Sequence, residues 1–228
     1  MKKIIVLSGA GISAESGIST FRDSGGLWEQ HRVEDVATYE GWLRNQKLVL
    51  DFYNQRRKQL YEVTPNAGHY ELVRLEQKYD VHIITQNVDD LHERAGSKNI
   101  LHLHGELKKA RSTVNDRYIV EINGWELNEG MLCPQGGQLR PHIVWFGEAV
   151  PMIEPAIELC LQADCLIVVG TSLNVYPAAG LINYIPPHTP VYLVDPNDVQ
   201  TYASNVTYIK EPASTGLKKV ADRLIAND

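Results

Sequence analysis

The chain has few cysteines: Cys133, Cys160 and Cys165 in 228 residues. They form no CxxC pair and no framework, which excludes a disulfide scaffold and points to a reducing, cytoplasmic setting. No apolar run approaches the ~20 residues of a spanning helix. The run Ile4-Ile5-Val6-Leu7 ends at a glycine turn, short of the ~7–15 residues of a signal core. An excess of positive charge is also lacking. Lys plus Arg number 22 against 28 Asp plus Glu, a net −6, which argues against nucleic-acid partners and an electrostatic membrane anchor. Internal repeats and low-complexity tracts are missing. What is present is an ordinary apolar share of 43%, and chain enough for one or two domains whose core needs no metal or disulfide staple.

Short apolar runs recur between helix-like stretches. Residues 4–7, 81–85, 100–103, 165–169, 191–194 and 206–209 read as strands. Their continuous apolarity suits a parallel sheet covered on both faces. Residues 65–79, 89–95, 152–162 and 215–226 read as helices, the first with Thr64 as N-cap and Pro65 at its first turn. The alternation predicts an α/β fold, a Rossmann-type doubly wound parallel sheet. Two segments break the pattern and predict a small second lobe built from two insertions. Residues 1–30, 63–105 and 144–228 are expected to form the large domain, with 31–62 and 106–143 in the lobe.

Gly9-Ala10-Gly11-Ile12-Ser13-Ala14 fits G-x-G-x-x-G/A after a strand. The glycines allow a tight turn and close approach to a pyrophosphate, Ala14 keeps the packing close, and a helix start offers free N–H groups. A plain strand-to-helix turn fits the same residues. A hydride-transfer enzyme also wants an acidic strand end about 20 residues on. Here that region is the polar, glycine-rich segment from Ser19 to Trp28, which reads as a lid loop.

Five blocks occur in order: residues 9–22 (GAGISAESGISTFR), 85–96 (TQNVDDLHERAG), 104–107 (HGEL), 139–148 (LRPHIVWFGE) and 170–180 (GTSLNVYPAAG). Together they resemble the sirtuins, NAD-dependent protein-lysine deacylases, over nearly the whole chain. The resemblance implies a cleft for NAD and an acyl-lysine peptide. It also implies an acyl transfer that yields nicotinamide, free lysine and O-acyl-ADP-ribose. It makes His104 the general base, a role that suits an imidazole, and Asn87 its catalytic companion. His102 shares the strand face with His104; on their own the pair also fits a metal site, and a lone strand histidine is more often structural. For the cofactor the resemblance implies Gly9, Ala10, Gly11, Phe21, Arg22, Trp28, Gln86, Asn87, Asp89, Gly170, Thr171, Ser172, Asp195 and Ala213. Asp89 also reads as a helix cap, and Asp195 stands where the family usually has Asn. Phe146, Gly147, Glu148 and Val175 match the stretches between which a substrate peptide adds as a strand.

Tyr53 and Arg56 stand at i and i+3 on one helix and resemble the Tyr-x-x-Arg of sirtuins that also remove succinyl and malonyl groups. Ala14 is that class's small residue, with room for a longer acyl chain. Arg57 and Lys58 alongside leave a solvated helix face as the alternative. Most sirtuins hold a structural zinc on two cysteine pairs. Here the positions read Ser112, Asn115, Cys133 and Gln135, so no metal is expected. The insert would instead rest on Val114, Tyr118, Ile119, Val120, Ile122, Trp125 and Leu127, with a hairpin closed near Asn123-Gly124. An NAD- or ADP-ribose-binding module without activity, or an ADP-ribosyltransferase, would share the same cofactor site.

Overall fold

The computed structural model describes residues 1–18, 30–200 and 205–226. The predicted lid residues Phe21, Arg22 and Trp28 lie outside the described residues.

Six strands make one sheet, all of whose pairings are parallel. They are β1 (Lys3–Ser8), β2 (Asp80–Thr85), β3 (Ile100–His102), β7 (Cys165–Val169), β8 (Val191–Val194) and β9 (Val206–Ile209). Their order is β3-β2-β1-β7-β8-β9, the doubly wound arrangement in which the chain reverses direction between β1 and β7. β1 and β7 are buried along almost their full length, as continuous apolar runs require in a sheet with two covered faces. Helices α5 (Ala67–Leu75) and α8 (Ala213–Ala226) cover one face through Leu72, Leu75, Leu217 and Val220. Helix α7 (Ile153–Cys160) and a 3₁₀ turn (Ala178–Tyr184) cover the other through Ala156, Cys160 and Leu181.

Thr64 and Pro65 do not start α5. Asn66 does, accepting from Gly68 N at 2.9 Å while His69 Nδ1 accepts from Asn66 N. The Asn66 amide also donates to Ile12 O at 2.7 Å and Ser16 Oγ at 2.9 Å. One side chain thus caps the helix and fastens it to the loop after β1, which Thr64 could not do.

The small lobe joins helices α2 (Val33–Val36), α3 (Tyr39–Arg44) and α4 (Gln46–Glu62) to an antiparallel sheet. The sheet has the order β5-β4-β6, with β4 Gly105–Ser112, β5 Ile119–Glu121 and β6 Leu139–Ile143. Its core gathers Trp42, Phe52, Leu107, Leu127 and Trp145. Two expectations about the insert need correction. The hairpin closes between Ser112 and Ile119, because Asn115 accepts from Tyr118 N and Arg117 N in an Asx turn; Asn123-Gly124 lies beyond it. Trp125 is 38% exposed, whereas Leu127 is 1% and Ile122 9%, so these two anchor the insert.

Arg57 is no part of a solvated face but is fully enclosed. Its guanidinium donates to Trp125 O at 2.8 Å, Leu107 O at 3.1 Å and the Asn54 side chain, whose oxygen also accepts from Leu127 N at 2.9 Å. The fork of N–H groups matches carbonyls spread over three segments. At the junction of the lobes Gly105 has φ +83°, and a Cβ there would lie 2.0 Å from His142 O; only glycine fits. No helix among the described residues is long and apolar enough to cross a membrane.

Candidate active site

The loops that leave the C-terminal ends of β1, β2, β3, β7 and β8 converge on one edge of the sheet, the usual ligand edge of this topology. After β1, Gly9 N donates to Val169 O and Gly11 N to Gly170 O at 2.8 Å. A Cβ on Gly9 would sit 2.7 Å from Gly170 O, and one on Gly11 2.6 Å from Gly170 Cα. The two glycine turns therefore pack backbone against backbone. This corrects two expectations. The N–H groups of Ile12 and Ser13 turn back onto Gly9 O and Ala10 O, because α1 (Gly11–Ala14) is a single tight turn. Of residues 9–13, Ala10 alone keeps an N–H with no acceptor among the described residues. Ala14 is exposed and so does not serve the close packing, which Gly9, Gly11 and Gly170 supply.

After β2, Gln86 Nε2 donates to Thr171 Oγ1 at 3.0 Å and ties two ligand-edge loops together. The Asn87 amide donates to Ser13 Oγ at 3.2 Å, and the Ser13 hydroxyl donates to Asp89 Oδ2 at 3.0 Å. Asp89 Oδ1 accepts from Leu91 N at 3.1 Å, so it supports the start of α6 (Leu91–Ala95), whose cap residue is Asp90. Burial raises the Asp89 pKa, while the bonds from Leu91 and Ser13 and the His102 charge oppose that rise. The sequence reading did not assign Ser13. Its signal was a hydroxyl inside the glycine loop, which became a shared partner of Asn87 and Asp89 only when β1 and β2 paired in register, Ser8 beside Thr85.

His104 lies two residues beyond β3, half-buried, with Nδ1 bonded to Gln86 O at 3.1 Å. A carbonyl only accepts, so Nδ1 holds the proton and Nε2 keeps its lone pair. Burial pushes the His104 pKa down, against the pull of that carbonyl. Gly170 (φ +62°), Thr171 and Ser172 follow β7, with Leu173 in the left-handed region at φ 54°, strain of a kind that gathers at functional loops. Asp195 is buried after β8; its Oδ1 accepts from Asn197, and its other oxygen takes no hydrogen bond among the described residues. Ala213 is buried at the first turn of α8.

Tyr53 is 1% exposed on the small-lobe side, and its hydroxyl accepts from Trp145 Nε1 at 3.0 Å. The Arg56 guanidinium lies 5.8 Å from the centre of the Tyr53 ring. The two thus pack side by side, Tyr53 enclosed and Arg56 half-buried. Phe146 and Val175 are 48% and 40% exposed, and Gly147 has φ +87°. Phe146 N donates to Ala37 O. Glu148 differs from these. Its carboxylate is held by Arg140 at 2.8 Å, Arg111 at 3.1 Å and Trp145 N at 2.8 Å. Its side chain therefore braces the lobe.

The positions that stand for the zinc cysteines still meet. Ser112 Oγ donates to Cys133 Sγ at 3.1 Å and accepts from Val114 N and Asn115 N. A hydroxyl and one thiol are a poor set for structural zinc. Among the described residues one other group, Glu93, His102 and Glu106, brings potential ligand atoms within 4.8 Å of one another. Lys109 pairs with Glu106 and His102 with Glu93, which makes the group a charge-balanced network.

The Sir2 family model matches residues 9–177. The NAD-dependent protein deacylase of Bacteroides thetaiotaomicron is 54% identical over 231 residues, covering 99% of both chains. That of Helicobacter pylori strain 26695 is 53% identical over 228 residues, covering 99% of this chain and 98% of the other. Among solved structures, a Sir2 homologue in complex with NAD is 34% identical with a TM-score of 0.89, covering 99% of this chain and 90% of that one. A family match across most of the chain, full-length relatives and a shared fold lead to one conclusion: this chain belongs to the Sir2 family, the NAD-dependent protein deacylases.

Proposed function

We propose that the site removes acyl groups from protein lysines, that it accepts acyl chains ending in a carboxylate as well as acetyl, and that the residues described above divide the work as follows. NAD would supply the sugar carbon that receives the acyl oxygen, so that NAD, acyl-lysine and one water give nicotinamide, free lysine and O-acyl-ADP-ribose. The glycine turns, with the Ala10 N–H above them, fit a pyrophosphate, and the open oxygen of Asp195 fits a ribose hydroxyl. Phe21, Arg22 and Trp28, which lie outside the described residues, complete the cofactor set on the family resemblance alone.

His104 carries the reading. With its proton fixed on Nδ1 by Gln86 O, the ring presents a basic Nε2 that takes a proton from a sugar hydroxyl. A pure binding module needs no such base. Asn87, tied to Ser13, holds hydroxyl groups of the sugar, and Asp89 faces the carboxamide. Tyr53 and Arg56 offer a hydroxyl and a planar fork to a distal carboxylate. Exposed Phe146, Gly147 and Val175 flank the peptide, whose recognition is mainly main-chain. The test is to mix protein, NAD and acetyl- or succinyl-lysine peptide and follow nicotinamide and O-acyl-ADP-ribose. NAD binding without either product would reject the reading.

A further inference from the structure

His104 has a neighbour that differs from it in one respect. His102 Nδ1 bonds Asn87 O at 3.0 Å, just as His104 Nδ1 bonds Gln86 O. Two histidines therefore stitch the end of β3 to consecutive carbonyls of the loop after β2. The other nitrogen of His102, however, meets a carboxylate, Glu93 Oε1, at 2.7 Å. Glu93 belongs to α6, immediately after that loop. The His102 side chain is 7% exposed. A ring set between a carbonyl and a carboxylate faces two acceptors, and it satisfies both only with a proton on each nitrogen. The geometry makes His102 an imidazolium and His104 a neutral base.

We propose that His102 is a positioning residue for deacylation: bridging Glu93 and the Asn87 carbonyl, it holds the Gln86–Asp89 segment against α6 and places a fixed positive charge behind the Asp89 carboxylate.

The proposal rests on the deacylase reading. Its chain of contacts runs from Glu93 through His102 to Asn87, and from Asn87 through Ser13 to Asp89. Other charged and titratable groups face this chain from each element around it. Glu106 and Lys109 come from β4, His92 from α6, Asp90 from the loop and Arg56 from α4. Burial lowers the pKa of His102, but Glu93, the Asn87 carbonyl and Glu106 outweigh it and the pKa is raised. A buried carboxylate such as Asp89 tends to take up a proton, and an imidazolium nearby opposes this.

Two variants and one spectrum test the proposal. Glu93→Gln removes the charge that keeps the ring protonated, so His102 becomes neutral as pH rises. The ratio of Glu93→Gln to parent kcat/KM for NAD cancels the titration of His104. It should fall about 10-fold from pH 6 to pH 8.5, the effect of about one pKa unit. His102→Gln should be slow at every pH, with ADP-ribose affinity changed less than kcat. A merely structural role would give losses that do not recover in acid. A ratio flat with pH, or His102→Gln with the parent kcat at pH 7, would overturn the proposal. Imidazole ¹⁵N NMR of the parent enzyme reads the charge without turnover. Both nitrogens of His102 should be protonated at pH 7, and a singly protonated ring would overturn the proposal. A parent enzyme that turns over no peptide would instead count against the deacylase reading, and the spectrum would still decide the charge of His102.

Discussion

The Trp145 indole donates to the Tyr53 hydroxyl at 3.0 Å, inside the small-lobe core. This uses the phenol as an acceptor, and among the described residues its own proton has no acceptor. A distal carboxylate is a natural recipient, with the Arg56 fork beside it. Losing a charge-assisted contact costs ~1.5–3 kcal/mol, about 10–150-fold. Arg56→Met should lose that much in kcat/KM on succinyl-lysine peptide and far less on acetyl-lysine. Equal losses on both would show that the arginine does not read the acyl end.

His104→Ala should reduce deacylation by roughly 10²–10⁴-fold while ADP-ribose binding, followed by calorimetry, stays near the parent value. Because burial lowers the pKa of this ring, the parent enzyme should keep its base deprotonated below the usual histidine range. The acid limb of its pH profile should therefore lie below pH 6.5. A limb above that value would mean that another group sets the profile.

Two further histidines bear on stability. Burial takes His69 from 6.5 to about 4 and lowers His92 well below its usual value. The rings stack edge to face at 5.0 Å, and His92 Nε2 lies 3.0 Å from Ser8 Oγ beneath the site. Unfolded, both bind protons at about pH 6.5; folded, they do so only at far lower pH. Their stabilisation is thus complete above pH 6.5 and is lost as pH falls toward 4. For His69 alone this amounts to about 3 kcal/mol. Urea unfolding at pH 7 and pH 4.5 measures it. His69→Gln should flatten the slope; an unchanged slope would assign it to other groups.

The insert should depend on Arg57 and not on a metal. Removing the guanidinium leaves the Trp125 and Leu107 carbonyls without this donor, each worth ~1–3 kcal/mol, while the Asn54 oxygen keeps Leu127 N. For the two carbonyls together this is about 2–6 kcal/mol, so Arg57→Met should lower Tm by about 4–24 °C, at ~2–4 °C per kcal/mol for a chain of this size. EDTA should leave Tm unchanged, and elemental analysis should find no stoichiometric zinc. One zinc per chain, with melting on chelation, would reverse this assignment.

The large domain was legible because its central strands β1, β7 and β8 are continuous apolar runs ended by a turn; residues 165–169 and 191–194 match β7 and β8 residue for residue, and 206–209 match the half-exposed edge strand β9. The helix starts were less so. At α5 the choice among Thr64, Pro65 and Asn66 depended on Ile12 and Ser16, some 50 residues away. The insert was the least legible. Its strands are polar, and its organiser is an arginine two of whose partners are main-chain carbonyls. Such partners leave no mark in the residue types. Ser13, Trp145 and the bracing role of Glu148 were hidden for the same reason: each acquires its task from a long-range neighbour.

The contact between the two glycine turns also constrains when the protein can assemble. β1 pairs with β7 at Ile4 and Cys165, and the partner of Gly9 and Gly11 is Gly170. During synthesis the first strand leaves the ribosome long before its central neighbour does. Its glycine turn lacks that partner until about three-quarters of the chain has been made. The N-terminal strand must remain sheltered, by β2 or by a chaperone, through that interval, because an apolar strand with an unpaired edge is prone to aggregate. Premature termination anywhere before residue 170 would therefore release a chain unable to bring its two glycine turns together.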